Sequence, residues 1–496
     1  MATAYGEKPS NGGAIMYAQG TSSMEYPVKN LRLRFKNKND YYRVRPDIEK
    51  VEIICMKADY MESSGSHNTG AANFIDALYT GVNIETPGQE HFGGDGKDTI
   101  VTCIKGHPCL IFYSASGEPG TYEYIGKYNL NLDKATPEPF GFKQDGDFGC
   151  LDEGNKYYFV EYDEDGEYVG NETEKTVQAG EKVNSIHCFE FLDNAVDVCN
   201  FLPKEGYTYR DTWYNTFTNS DNDSVPGWTL GFESRYPEDK IGYHDADALY
   251  PLASWLAELK VKYDEELAAG KKPTDITYEY EYTLATGYQD YVGYYYQDGD
   301  DNWKLENNIS KDTFPSPNSK YYTRAVKSST FSMISLERFK REYECYLDKD
   351  FLLTYYLVTE ALLMADSRVK NMMIATWGRE KRSYVHYETG ATIYPDPYGD
   401  GSGTYIFYPI FYDMDTMLGL DNTGKYRFNY YDEDTNASVF NGQEVLWNFV
   451  RDALPSELKT WYSNLEGASL KADAILPYFN NNQANMANEA FYNGDA

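Results

Sequence analysis

An α+β fold, with a mixed β-sheet N-terminal part and a mainly helical C-terminal part, is what three features of this sequence predict. Short apolar segments with strand-like alternation recur through residues 1–205, and helical spacing dominates from Ser335 onward. Hydrophobic residues make up 41% of the 496, which supplies a large core for one large domain or several ordinary ones.

In chain order, "NLRLRF" (30–35) and "KVEIICMKADY" (50–60) carry alternating or continuous apolar residues and read as paired strands. "HNTGAANFIDALY" (67–79) reads as a short helix with Asn68 or Thr69 near its N-cap. "DTIVTCI", "PCLIFYSA" and "YIGKYNLNL" are further strand signals, so the first part is a mixed sheet with a packed helix. "KYYFVEYDEDGEYVG" (156–170) is a surface hairpin turning at "DEDG", and "CFEFLDNAVDVCNFL" (188–202) is a strand followed by a helix.

Residues 245–269 have apolar positions at helical spacing, with Pro251 placed to start or kink the helix. The Tyr- and Asp-rich stretch 274–330 has no clean period and reads as an irregular insertion. "SLERFKREYECYL" (335–347) is helical, and "KDFLLTYYLVTEALLMA" (349–365), nearly apolar all round, predicts a central buried helix. "IFYPIF" (406–411) is a strand, "EVLWNFVRDALPSELKTWY" (444–462) a helix broken at Pro455, and "LKADAILPYFNNNQANMANEAF" (470–491) closing helical sequence. Three stretches result: a β-rich 1–205, a helix plus insertion at 206–330, and a helical 331–496.

Charge narrows the function classes. With 45 Lys+Arg against 78 Asp+Glu, the formal charge of -33 disfavours nucleic-acid backbone and anionic membrane as partners. The 49 tyrosines combine large apolar area with a polar tip and suit extensive protein contacts in an assembly. Seven cysteines form no CxxC pair, so reduced thiols are expected; no run is apolar enough to span a bilayer, and the start has no secretion signal.

One constellation carries chemistry. Asp366 and Asn371, spaced as Asp-x-x-x-x-Asn, match the catalytic-loop logic in which the Asp accepts a hydroxyl proton and the Asn helps hold magnesium. Asp413 and Asp415, in "YDMD", follow an apolar strand as a magnesium-binding Asp does. Arg368 and Lys370 bring positive charge to phosphate oxygens or to those carboxylates. The alternative is a structural ion network in which Asp413 and Asp415 pair with Arg368 and Lys370.

"YAQGTSSMEYPVKNLRLRF", "MKADYMESSGSHNTGAA", "YIGKYNLNLDK", "LLTYYLVTEALLMADSRVKNMMIATWG" and "YPIFYDMDTMLGLDNTGKYRF" together resemble, in order and over nearly the whole chain, the CotH kinase-like fold of spore-coat proteins. The flavour of "DSRVKNM", "FYDMDTMLG" and "FNGQEVLWNF" is similar to CotH-like regions of very large virion proteins of crAss-like gut phages, which are tail or muzzle components. The resemblance implies an atypical protein-kinase fold with a β-rich N-lobe and a helical C-lobe. By motif, Asp366 stands for the catalytic Asp, Asn371 and Asp413 for the metal-binding pair, with Asp415 beside them. Lys57 in "MKADY" or Lys29 in "YPVKN" stands for the lysine that meets nucleotide phosphates; Mg and ATP are the implied cofactors.

The expectation is therefore a phage virion structural protein, assembled in the host cytoplasm with other virion proteins and using this fold as an assembly module. It is also expected to be a slice of a longer polypeptide. Two alternatives stand beside it: an active kinase, and a host-surface attachment module.

Other motifs carry less. "GGDGKDT" (93–99) has Asp98 where a P-loop needs Ser or Thr, and "GDGSGTY" (399–405) reads as a loose hairpin loop. "YDEDGE", "DGDDN" and "YDEDTN" lack the closing Glu of an EF-hand, and the six histidines show no zinc spacing. Arg235 in "ESRYPED" reads as a surface salt bridge.

Overall fold

The computed structural model describes residues 13–485 except 21, 38–40, 46–47, 61–64, 85–100, 119, 135, 137, 143–147, 152–155, 163–167, 177–185, 193–195, 237–245, 291–292, 313, 315–320, 365, 400, 421–430, 433–436, 439–444 and 469. The chain is α+β, with its sheets antiparallel.

Strands β1 (Ala14–Gln19), β2 (Asn30–Phe35) and β3 (Ile53–Lys57) precede helix α1 (His67–Gly81), which is followed by β4 (Gly106–Tyr113) and β5 (Glu123–Leu132). The five strands form one antiparallel sheet in the order β1-β2-β3-β5-β4. The expected pairing of "NLRLRF" with "KVEIICMK" is present, with Leu31 opposite Met56 and Leu33 opposite Ile54. "DTIVTCI" departs from expectation: its described residues 101–104 form no strand. Val101 and Ile104 are buried in the core instead, and the Ile104 N–H donates to the Phe411 carbonyl at 3.1 Å.

Strands β6 (Phe148–Leu151), β7 (Lys156–Tyr162) and β8 (Tyr168–Thr176) make a small sheet that contains the expected hairpin; its "DEDG" turn lies outside the described residues. Then come β9 (His187–Phe191), α2 (Val196–Cys199), α3 (Tyr209–Tyr214), the short pair β10 (Thr216–Thr218) and β11 (Ser224–Pro226), and β12 (Phe232–Tyr236). Arg235 of β12 is not a surface bridge: it meets the buried Glu190 carboxylate at 2.6 Å, which Lys134 also meets at 2.6 Å. Helix α4 (Tyr250–Ala268) has Pro251 in its first turn, as expected.

The stretch read as an irregular insertion is ordered. Strands β13 (Ile276–Leu284), β14 (Tyr294–Gln297), β15 (Trp303–Glu306) and β16 (Tyr322–Phe331) form a four-stranded antiparallel sheet, β13-β16-β14-β15. "TYEYEY" does alternate, but as Tyr against Glu rather than apolar against polar, and a bulge at Glu279/Tyr280 shifts its register. One face carries Tyr280, Tyr282, Tyr295, Trp303 and Tyr322; Tyr282 and Trp303 stack at 3.8 Å, and the Arg324 guanidinium lies over the Tyr280 and Tyr295 rings at 3.9 and 4.5 Å. Leu284, Leu305 and Val326 on the same sheet are about half exposed.

Helices α5 (Ile334–Glu342) and α6 (Lys349–Ala361) follow, and α6 is central and buried as its composition predicts. Beyond it the expected helical part also carries strands: β17 (Met373–Thr376), the two-residue strands β18 (Arg379–Glu380), β19 (Tyr384–Val385), β20 (Thr392–Ile393) and β21 (Thr404–Tyr405), and β22 (Tyr408–Ile410). Helices α7 (Val445–Ala453), α8 (Pro455–Ala468) and α9 (Ala472–Asn485) close the described chain, with the expected break at Pro455, which opens α8. No described helix is long and apolar enough to cross a membrane.

A central antiparallel sheet, β12-β9-β17-β22, takes strands from all three sequence stretches. It is buried on both faces. Phe189, Phe232 and Ile374 face the core shared with the helices, whereas Cys188, Met373, Ala375 and Ile410 face the core shared with the five-stranded sheet. Under it, Tyr355 of α6 stacks between Phe411 (4.4 Å) and Trp447 (5.0 Å) and donates its hydroxyl to the Ser367 carbonyl at 2.8 Å. Replacing Tyr355 by Phe removes the donor from a buried carbonyl and is expected to cost about 1–2 kcal/mol. Tyr355→Ala, which also removes the ring, is expected to cost about 3–5 kcal/mol, both read from the urea midpoint.

Candidate active site

The site is built where β17 begins and β22 ends. Met373 lies opposite Ile410 in an antiparallel pair, so the residues just before β17 and just after β22 leave the sheet at the same edge. Asn371 (φ 56°) and Asp413 (φ 21°) both turn there through the left-handed region, which Asn and Asp tolerate better than other side chains. Strain of this kind is characteristic of functional loops.

Asp366 arrives from the end of α6 and opens a short 3-10 turn, Asp366–Arg368. The Val369 and Lys370 N–H groups donate to its carbonyl at 3.1 and 2.9 Å, and the Asn371 Nδ2 donates to its carboxylate at 3.3 Å. The two ends of the Asp-x-x-x-x-Asn spacing therefore meet. Arg368 turns back onto α6: it is buried, with Nε donating to Thr359 Oγ1 (2.8 Å), Nη2 to the Tyr356 carbonyl (2.6 Å) and Nη1 2.9 Å from Glu360. The C-terminal end of α6 gathers partial negative charge, which the Arg368 guanidinium answers, while the Val358, Thr359 and Glu360 carbonyls accept from the N–H groups of residues 362–364. Its role is to anchor the loop.

The structure separates the two candidate lysines. Lys57, the last residue of β3, brings Nζ to 3.3 Å from Asp413 Oδ1, with both side chains largely buried. Lys29 instead donates to the Met24 carbonyl and, at 2.6 Å, to the Tyr26 carbonyl, tying down the turn between β1 and β2. In that turn the Tyr26 phenol is raised above its ordinary pKa by burial and by the negative charge of Asp415 and Glu25. Tyr26 stacks on Tyr60 at 5.5 Å.

Asp415 is half-buried, and burial together with the Asp413 carboxylate pushes its carboxyl well above the usual range; Lys57 opposes this, while Asp59 and Asp366 add to it. Burial works against the Lys57 ammonium, but Asp413, Tyr412 and Asp415 hold its pKa well above the ordinary value. Lys57 therefore stays charged among carboxylates that repel one another.

Sequence reasoning passed over Asp59 and Asn129, and offered Asn68 only as a residue near the N-cap of α1. Asp59 is buried at φ 44° and accepts from Asn68 Nδ2 at 3.0 Å and from Asn129 Nδ2. The N-cap of α1 is Ser66, whose side chain makes no capping bond; Asn68, inside the first turn, uses its Oδ1 to accept the Met414 N–H at 2.8 Å. His67 Nδ1 is 2.8 Å from the Asp415 carbonyl. The available signal was "MKAD" followed by "SHNTG": polar side chains at a strand end and at a helix start that shared no partner in the sequence.

Among the described residues, no group of three or more His, Cys, Asp or Glu side chains is arranged to hold a metal by itself. The donor set fits magnesium rather than zinc, since Mg²⁺ commonly takes one or two carboxylates and completes its shell with water and phosphate oxygens. The acidic turn 298–302 is accounted for locally, with Asp298 Oδ1 accepting from the Asp300 and Asn302 N–H groups at 3.0 Å each. "GGDGKDT" lies outside the described residues. No family model matches this chain, and no curated protein sequence matches it.

The raised Asp415 pKa sets a pH dependence. The folded protein holds that proton above the unfolded value of about 3.9, so the stability it contributes is fully present below that pH and is lost as pH rises through the folded-state pKa. Asp415→Asn is expected to stabilise the chain at pH 7 by on the order of 1 kcal/mol, discounted for partial exposure, with the gain shrinking toward pH 4. Thermal unfolding of both proteins across this range checks it.

Proposed function

We propose that this chain has a CotH-type kinase-like fold whose site binds Mg-ATP for phosphoryl transfer. The observation that carries the reading is convergence: Lys57 at the end of β3, the Asp366–Asn371 loop and Asp413 after β22 come together from three distant parts of the sequence. They bear the residue types that such catalysis needs. The order of elements supports it too, with a five-stranded antiparallel sheet interrupted by one helix between β3 and β4.

In this reading the Asp366 carboxylate, held by Asn371 Nδ2, accepts the proton of a substrate hydroxyl. Asn371, donating through Nδ2, offers its carbonyl oxygen to a cation, and Asp413 offers a carboxylate. Magnesium held by Asn371 and Asp413 would supply positive charge to the phosphate oxygens. Lys57 is the cation that meets those oxygens, and its partial burial strengthens the contact.

We further propose that the protein resides in a bacteriophage virion as a tail or muzzle component, among other virion proteins and without contact to nucleic acid. Beside the resemblance, the aromatic face of β13–β16 favours this reading. It holds large, rigid Tyr and Trp side chains around Arg324, for which no carboxylate partner occurs among the described residues. That suits a neighbouring virion protein presenting an acidic side chain amid apolar ones. Attachment to a host surface would use the same face.

Calorimetric titration of Mg-ATP into the purified chain tests the site. Micromolar binding that disappears in Asp413→Asn is the expected result, and absence of binding by the unaltered chain removes the nucleotide reading. Mass spectrometry of purified virions tests the residence, which fails if the polypeptide is not among the particle proteins.

A further inference from the structure

Lys57 has a carboxylate partner in Asp413, but helix α1 supplies none. In kinases an ion pair between the β3 lysine and a glutamate of the following helix sets that helix in its working position. The one acidic residue of α1, Asp76, is engaged elsewhere, 2.8 Å from Lys105 and 3.5 Å from Arg45. Polar contacts hold α1 to the loop that carries Asp413 instead: His67 Nδ1 lies 2.8 Å from the Asp415 carbonyl, and the next residue, Asn68, reaches the Met414 N–H.

We infer that Asn68 is the positioning residue that couples α1 to the Asp413–Asp415 loop, through a buried amide bridge in place of an ion pair. Asn68 is 3% exposed and uses both ends of its amide: Oδ1 accepts the Met414 N–H at 2.8 Å, and Nδ2 donates to Asp59 Oδ1 at 3.0 Å. Asp59 in turn follows Lys57 by two residues, so one side chain ties together the end of β3, the start of α1 and the peptide between the two site aspartates. Asn129 of β5 braces the bridge by donating to Asp59 and, at 2.7 Å, to the Gly65 carbonyl, while Thr69 Oγ1 donates to Asn129 Oδ1 at 3.3 Å.

The chemistry of the bridge has a functional consequence. An exposed ion pair can exchange one partner for water or another charge, and a helix held that way can swing. A buried amide that is satisfied at both ends leaves an acceptor and a donor without partners when it opens, and that cost keeps it shut. The loop is thereby held in its left-handed turn at Asp413 without an activating event. The inference rests on the Mg-ATP reading for its functional sense and on geometry alone for the coupling.

The two are tested separately. Hydrogen exchange measured by mass spectrometry reads the Met414 amide in the unaltered chain, in Asn68→Ala, in Asn68→Asp, and in the double variant Asp59→Asn/Asn68→Asp. The double variant exchanges the two groups: the carboxylate at 68 accepts from Met414 and from the amide at 59, whose carbonyl oxygen accepts from Asn129. Exchange at Met414 is expected to rise about tenfold in Asn68→Ala and in Asn68→Asp, where two carboxylates face each other, and to return toward the original rate in the double variant. Mg-ATP affinity is expected to fall about tenfold and to recover in parallel.

Unchanged Met414 exchange in Asn68→Ala overturns the inference. So does a double variant no better than Asn68→Asp, and this comparison decides the matter if Asn68→Ala unfolds. If the unaltered chain binds no Mg-ATP, the nucleotide reading falls while the exchange measurement still decides the coupling.

Discussion

One ammonium group among several carboxylates is the constraint on which this site depends. Asp413, Asp415, Asp59 and Asp366 lie close enough for their charges to act on one another, and Lys57 is brought into their midst at 3.3 Å from Asp413. A half-buried group of acids is unstable by mutual repulsion unless a cation or a proton answers it. Both answers are present: Lys57 keeps its charge, and Asp415 is driven toward its protonated form.

The central sheet makes that constraint sustainable. Because β9, β17 and β22 are covered on both faces, their ends are fixed by two cores at once, and the loops leaving one edge inherit that rigidity. Tyr355 reaches both loops from below, stacking on Phe411 of one and bonding Ser367 of the other. Arg368, turned into the end of α6, completes the anchoring. Positive φ at Asp59, Asn371 and Asp413 is affordable only on such a base.

The β13–β16 sheet is chemically unlike the acidic site. It carries half-buried aromatic rings around the exposed Arg324 guanidinium. A chain with a formal charge of -33 needs partners that tolerate or neutralise it, and large Tyr and Trp surfaces give contact area that salt does not screen. The proposed virion residence and the proposed nucleotide site therefore use separate parts of the fold and do not compete.

Much was legible in the sequence because it is local. The all-apolar run 349–365, the turn-separated strands 30–60 and the Asp366-to-Asn371 spacing each carry their signal within a few residues, where periodicity and backbone geometry act. The irregular reading of 274–330 failed because Tyr/Glu alternation and a bulge hide a strand whose faces are both partly exposed. The contact of Arg368 with α6 was not foreseen because the Tyr356 carbonyl does not show in a list of side chains. By itself the sequence determined many of the elements, the acidic character and the residue types of the Asp366–Asn371 loop and of Asp413. Only the tertiary structure decided that Lys57 rather than Lys29 meets Asp413, and that Asn68 joins α1 to the loop beyond it. Those contacts span more than 340 residues, and which distant groups meet is set by sheet register and core packing, not by any local preference of the chain.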